Sequence, residues 1–391
     1  MRYYIDVDTI EQARSIVKNS DNISLCAFQS INFNKIISNW DNIKFTDCLF
    51  IGCTLPSFML ARLDGSNTIL SDLNVPYQTF RTRLYDASTL YDAYNPNIES
   101  SIDECYDAKV YKRFLATGKR ANNINETLAR TLHDHSMSDA MHDFLANYRE
   151  EDIVAIMGGH ALLRSDKYYR DIVYIAKLLT EKGKIIVSGG GPGAMEASHV
   201  GAWLAGRDNS EVEQALTILQ QSISFDNPLW LKSAFEVINT YPQAKYVSLG
   251  VPTWLYGHEP ATPFATHIAK YFDNALREDH LLTIAKGGVI YTPGSAGTMQ
   301  EIFQDAAQNH YISFGYASPM VFLGTNYWSQ ELPAYSLLQD MAKTGRYKNL
   351  LLSISDNIEE IINSIMVGAS VCFFASSKAA SISSTFSTRT P

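Results

Sequence analysis

Ser188-Gly189-Gly190-Gly191-Pro192-Gly193-Ala194-Met195-Glu196 is the stretch on which the reading turns. A short apolar run, residues 185–187, precedes it, and a helical pattern over 194–205 follows. Glycines at a strand-to-helix turn let the backbone approach a ligand closely and take positive φ. The first N–H groups of the helix then offer unsatisfied donors and a partial positive charge to an anion. A second stretch repeats the arrangement about a hundred residues on: Pro293-Gly294-Ser295-Ala296-Gly297-Thr298-Met299-Gln300-Glu301, after the apolar run 289–291. It adds the hydroxyls of Ser295 and Thr298 to consecutive backbone donors. Both loops suit a phosphate.

Working outward, residues 153–157 are apolar and end at Gly158-Gly159, which reads as a buried strand. A helix is expected over 166–182, closed by Gly183. Further strands are expected at 246–249, 289–291 and 320–323, with a long helix over 264–285. Short apolar strands alternating with helices imply right-handed crossovers and a parallel sheet covered on both faces. The expected class is therefore α/β, a doubly wound Rossmann-like sheet, with ligands at the carboxyl ends of the strands.

Other readings compete for the same loops. Gly189, Gly191 and Ala194 satisfy the dinucleotide fingerprint, but the acidic residue expected at the end of the next strand is missing. Asp208 has the distance and no strand before it. No P-loop sequence occurs. Either loop alone could be a tight turn with no ligand. Thr298-Met299-Gln300-Glu301 is also a capping box, in which Glu301 would cap its own helix.

The chain has 391 residues and a formal net charge of −9. That length favours two domains. The charge disfavours a nucleic-acid partner, and no Lys/Arg run supplies a basic patch. Cys26, Cys48, Cys53, Cys105 and Cys372 form no CxxC pair and no metal spacing, so reduced thiols and no metal are expected. No apolar run approaches the length of a membrane span, and no signal core opens the sequence. A soluble, cytoplasmic protein with no membrane partner is expected.

Three segments differ in texture. Residues 1–148 form an accessory region, β-rich and then helical over 121–148. Phe45, Phe50, Leu55 and Leu60 recur every five residues there, with Cys48 and Cys53 two positions before the next member, which hints at a short pentapeptide-like β-coil. Residues 149–366 form the nucleotide-binding domain. Residues 367–391 are rich in Ser, Ala and Thr and read as a disordered tail.

Taken together, the glycine-rich first loop and the second loop, P-G-x-x-G-T-x-x-E, resemble the LOG family of cytokinin riboside 5′-monophosphate phosphoribohydrolases. Gly158-Gly159-His160 and Gly191-Pro192-Gly193-Ala194-Met195-Glu196-Ala197 resemble more closely the bacterial nucleotide 5′-monophosphate nucleosidases of that superfamily. The resemblance covers about residues 150–345. It implies a phosphate loop at Gly294, Ser295, Ala296, Gly297 and Thr298, a catalytic carboxylate at Glu301 and a catalytic arginine at Arg277. It also implies a nucleoside monophosphate as partner, no cofactor, and a homodimer or higher homo-oligomer, for which the apolar helix at 302–314 offers a face. Ser295 stands where the family's loop has its second glycine, and the stretch from Arg277 to Pro293 is one residue longer. The implied reaction is hydrolysis of the N-glycosidic bond, whose oxocarbenium-like sugar needs negative charge near C1′. Glu196, Asp273 and Glu278 are candidates for the acid that protonates the leaving base. A nucleotide sensor without turnover, with residues 1–148 as its output module, is the other class of function these motifs allow.

Overall fold

A computed structural model describes residues 4–38, 40–257 and 259–368. The chain separates into two compact units, residues 1–84 with 106–144, and residues 85–105 with 145–391. The division differs from the expected break near residue 148, because residues 85–105 cluster with the second unit. Tyr85 explains part of this. It bridges Ile268 on both sides, with its N–H donating to the Ile268 carbonyl and its carbonyl accepting from the Ile268 N–H. The expected tail falls outside the described residues from 369 onward, while residues 367 and 368 continue a helix that begins at 358.

The first unit is a short parallel coil followed by helices. Ile5–Val7, Cys26–Gln29, Leu49–Ile51 and Thr68–Leu70 form one four-stranded parallel sheet, and Asn22–Ser24 pairs in parallel with Lys44–Thr46. Register sets Ile23 beside Phe45 and Phe28 beside Phe50, so the rings stack inward. The corners repeat at the same spacing. Leu25 and Ser30 take left-handed φ in one coil, and Asp47 and Gly52 do so in the next. The five-residue spacing in the sequence thus corresponds to one side of a coil. The series stops at Leu55, because Leu60 belongs to the short helix Ser57–Leu60 and is exposed. The long helix Ile124–Leu145 lies in this unit except for its last residue.

The second unit is the α/β sheet. Its strands are β1 (Ile153–Met157), β2 (Ile185–Ser188), β3 (Ser248–Gly250), β4 (His267–Ile268), β5 (Gly288–Tyr291), β6 (Pro319–Leu323) and β7 (Leu351–Ser355). All are parallel, in the order β4-β3-β2-β1-β5-β6-β7. β1, β2, β5 and β6 are buried at every position, as strands covered on both faces must be. Helix α1 (Lys167–Glu181) is capped by Asp166, whose carboxylate accepts from the Tyr168 N–H at 2.8 Å. Helix α2 (Ala194–Trp203) packs with α1 over β1 and β2, around Ile172, Val173, Ala197 and Val200. Ile172, Val173 and Val200, taken fully out of water, each contribute about 1.5–3 kcal/mol, and the single methyl of Ala197 about 0.8 kcal/mol.

Two expectations need correction. The helix expected over 264–285 is confined to α3 (Asn274–Ile284). Thr266 Oγ1 donates to the Ser248 carbonyl and accepts from its N–H, both at 2.9 Å, and this draws His267 and Ile268 into the sheet as β4. Asp273 then starts the helix by accepting from the Ala275 N–H. The strand expected at 246–249 begins two residues later and ends one residue later, at 248–250.

The order of strands has one consequence for function. The chain lays β2, β3 and β4 on one side of β1, then crosses to lay β5, β6 and β7 on the other. The order reverses between β1 and β5, and in open α/β sheets ligands bind at the carboxyl edge beside such a reversal. The loops that follow β1 and β5 are Gly158-Gly159-His160 and Pro293–Thr298. No described helix is long and apolar enough to cross a membrane.

Candidate functional site

The loops after β1 and β5 are stitched together. Gly159 N–H donates to the Pro293 carbonyl at 3.1 Å. A Cβ on Gly158 would lie 1.9 Å from Thr292 Oγ1, and one on Gly294 would lie 2.2 Å from Thr298 Oγ1 and 2.9 Å from Gly159 N. Only glycine fits such approaches. Tyr327 fixes the second loop from outside by donating to the Gly294 carbonyl at 2.7 Å.

The two glycine loops differ sharply in openness. The first is wholly buried from Gly189 to Gly193. Gly189 and Gly191 are covered by Met195, whose sulfur and methyl would meet Cβ atoms there. Gly190 lies against Gly250 and accepts from the Thr262 N–H. Gly193, at φ +68°, turns the chain so tightly that a Cβ would meet the carbonyls of Gly159 and His160. Ala194 N–H, a donor at the start of α2, is already taken by the Gly159 carbonyl at 3.1 Å. His199 ties this loop to the sheet, with Nε2 2.8 Å from Ser188 Oγ and Nδ1 2.9 Å from Ser248 Oγ. Burial pushes its pKa down to about 3, so it stays neutral. His160 is half exposed, with Nδ1 3.8 Å from Glu259.

The second loop opens to solvent. Ser295, Ala296 and Gly297 are exposed at the start of α4 (Ala296–Tyr311), a sixteen-residue helix whose cap residue, Ser295, makes no side-chain capping bond. Nothing lies within 4 Å of the position a Cβ would take on Gly297. Thr298 is the third residue of this helix rather than its cap. The capping-box reading of Thr298 and Glu301 therefore fails, and Glu301 lies in the second turn with no end to close.

Glu301 instead meets Arg277 from α3. Arg277 Nη1 and Glu301 Oε1 are 3.8 Å apart, and the side chains are 10% and 12% exposed. Burial pushes the Glu301 pKa up to about 7. Arg277 opposes that rise and the Glu278 charge adds to it. One helical turn further along α4, Asp305 is buried and also raised to about 7, chiefly by burial, while it accepts from Tyr291 at 2.7 Å.

The three carboxylates considered as acids separate cleanly. Glu196 is locked with Arg164 through Nε at 2.9 Å and through Nη2, and it accepts from the Tyr169 hydroxyl at 2.9 Å. Arg164 spends its other donors on Leu219, Ser222, Ser233 and Trp230. Glu196 is thus held in a structural network beneath the first loop. Asp273 caps α3. Glu278 is the one of the three whose charge acts on the Glu301 carboxyl. Asp208, at the fingerprint distance, caps the helix Asn209–Leu219 in a capping box with Glu211.

Sequence reasoning missed Asn274 and Tyr256. Asn274 Nδ2 donates to Tyr256 Oη and to Glu278 Oε2, both at 3.0 Å. Asn274 and Glu278 flank Arg277 at helical spacing, and that spacing was the available signal.

No protein-family model matches the chain, and no curated protein matches it. Among solved structures, the molybdenum cofactor binding protein from the phototrophic bacterium Rippkaea orientalis is 16% identical, over 55% of this chain and 96% of its own, with a TM-score of 0.34. The Moco carrier protein from Chlamydomonas reinhardtii is 13% identical, over 55% of this chain and 94% of its own, with a TM-score of 0.33.

Proposed function

We propose that the second unit binds a nucleoside 5′-monophosphate and hydrolyses its N-glycosidic bond to free base and ribose 5-phosphate. One observation carries this reading: the uncapped, exposed first turn of α4 sits one turn from a buried carboxylate that faces an arginine. Backbone N–H groups from Ser295 to Thr298 hold the phosphate, with the helix dipole behind them. The phosphate serves as a handle whose binding energy positions the sugar. Side chains on a helix lean toward its N-terminus, so Glu301 reaches back toward the sugar of a phosphate bound there.

In the reaction the C1′–N bond breaks and its electron pair leaves with the base, which gains a proton. Water adds through oxygen to C1′ and loses a proton. The Glu301 carboxylate stabilises the positive sugar or takes the proton from water. Arg277 keeps part of Glu301 ionised and binds the phosphate or the departing base. A pKa near 7 suits a group that must hold and release a proton at neutral pH.

The test is incubation with a panel of nucleoside monophosphates, with free base read by chromatography. AMP or a similar monophosphate is cleaved and the matching nucleoside is not. Equal rates on AMP and adenosine reject the reading, and tight binding without any base release makes the protein a nucleotide sensor. The same reading includes self-association. Tyr311, Ile312 and Phe314 are exposed at and just beyond the end of α4; light scattering at micromolar concentration is expected to find a dimer or larger species, and a monomer counts against it.

A further inference from the structure

Beside Arg277, the first turn of α3 carries three buried polar atoms without a protein partner: Asn274 Oδ1, Arg277 Nε and Glu278 Oε1. Asn274 and Glu278 are only 7% and 4% exposed. Their other atoms are committed. The two protons of the Asn274 amide go to Tyr256 Oη and Glu278 Oε2, each at 3.0 Å. The bond to Glu278 fixes which way the amide faces, because a carboxylate oxygen accepts and only the amide nitrogen can donate to it. Oδ1 is left as an acceptor, and Glu278 Oε1 is left as a second. Buried acceptors without donors are costly, and native structures tolerate them where another molecule completes the bonds. Arg277, between Asn274 and Glu278 on the same helix, stands 3.8 Å from Glu301, which places this pair beside the site already described.

The geometry points to Asn274 Oδ1 and Glu278 Oε1 as a specificity pair that accepts hydrogen bonds from a donor-bearing group of the nucleotide, with Arg277 Nε donating beside them. The assignment rests on the proposed binding of a nucleoside monophosphate at this site. A bound group must bring polar hydrogens to two acceptors. The exocyclic amine of a base does so, and so does the vicinal diol of ribose. An oxo group in the same place would set lone pair against lone pair. A site built to hydrogen-bond a substrate group rejects the analogue that lacks it far more strongly than an apolar pocket rejects a missing methylene.

The experiment measures binding of AMP, IMP and 2′-deoxy-AMP to the full chain by stopped-flow protein fluorescence, read before any nucleotide is turned over, for the wild type, Glu278→Gln and Asn274→Ala. In Glu278→Gln the amide oxygen stays where Oε2 was, to accept from Asn274, so its NH2 takes the place of Oε1. One acceptor becomes a donor. If the bound group is an amine, the wild type prefers AMP over IMP by about tenfold or more, and the variant loses or reverses that preference. If it is the diol, the wild type prefers AMP over 2′-deoxy-AMP by about tenfold or more, and both variants shrink that ratio while AMP against IMP stays flat. Melting temperatures identify a variant that fails to fold, and the other variant then decides. Ratios unchanged in the folded variants overturn the proposal, even where AMP is still bound and cleaved. Discrimination that collapses in the variants without any base release supports it and removes the hydrolase reading. A folded wild type that binds none of the three nucleotides overturns both.

Discussion

Arg277 Nη1 stands 3.8 Å from Glu301 Oε1, within ion-pair range and beyond a hydrogen bond. The two side chains come from α3 and α4, whose first turns both lie at the carboxyl edge of the sheet. Direct contact would quench the pair. At this separation each keeps a free side for a third group, and the low dielectric around them raises the value of any charge that develops between them.

Replacing Glu301 with Gln keeps its size and removes its charge. Turnover is expected to fall about a hundredfold or more, on the order of 3 kcal/mol in the barrier, with nucleotide affinity nearly unchanged. Ser295 occupies the cap position of α4, so the variant loses no capping bond and its melting temperature does not drop. Turnover and melting temperature measured on the same sample decide the matter. A lower melting temperature with full activity would assign Glu301 to the helix rather than to the reaction.

The pH dependence follows from two raised carboxyls. Glu301 moves from 4.5 to about 7 and Asp305 from 3.8 to about 7, both mainly through burial. A carboxyl whose folded pKa is raised binds more protons in the native state than in the unfolded one. Stability is then greatest below the unfolded values and declines as pH rises from about 4 to 7. Glu301→Gln removes one of the two contributions. The variant should match the wild type near pH 4 and exceed it above pH 7, by at most about 3 kcal/mol. Denaturant titrations across that range check this, and a wild type that gains stability between pH 4 and 7 relative to the variant contradicts it.

What was legible depended on burial. β1, β2, β5 and β6 stand out as continuous apolar runs because both faces are covered. β4 is two residues at the sheet edge, held by Thr266 and by a bridge from Tyr85, and neither contact leaves a periodicity. β7 is only half-buried throughout, so its pattern is weak. At the site, Glu301 is singled out by the loop motif and Arg277 only by the resemblance, and the structure sets their side chains 3.8 Å apart. The separate fates of the two glycine loops were not legible. One is sealed by Met195 and the other is left open, and that contrast depends on how α2 packs. The Arg164–Glu196 pair joins residues whose neighbourhood in space has no counterpart in their spacing.

Glu196 makes that last point testable. It lies in the first loop's helix, where a ligand role was expected, yet its carboxylate is shared between Arg164 and Tyr169. Glu196→Gln leaves the Arg164 guanidinium buried without its counter-charge, which costs about 3–5 kcal/mol. A large loss in denaturant midpoint is expected, with nucleotide affinity unaltered below the transition. Unchanged stability with lost affinity would return Glu196 to the ligand.

The two ends of the second loop should respond in opposite ways to one methyl group. At Gly294 a Cβ meets Thr298 Oγ1 at 2.2 Å and the backbone nitrogen of Gly159 at 2.9 Å. Neither can retreat, since Thr298 is buried and Gly159 is bonded to Pro293. Gly294→Ala is therefore expected to destabilise the fold by about 1–3 kcal/mol, as overpacking does. At Gly297 the same methyl enters open space on the second residue of α4, with no positive φ to oppose it. Alanine there restricts the unfolded chain and favours the helix, for a gain of about 0.5–1 kcal/mol. That open space is where the proposed phosphate sits against the N–H groups, so the stabilising methyl must also weaken AMP binding. The expected signature of Gly297→Ala is a higher melting temperature without ligand and a smaller upward shift when AMP is added. If the shift with AMP equals that of the wild type, the phosphate does not rest on this turn.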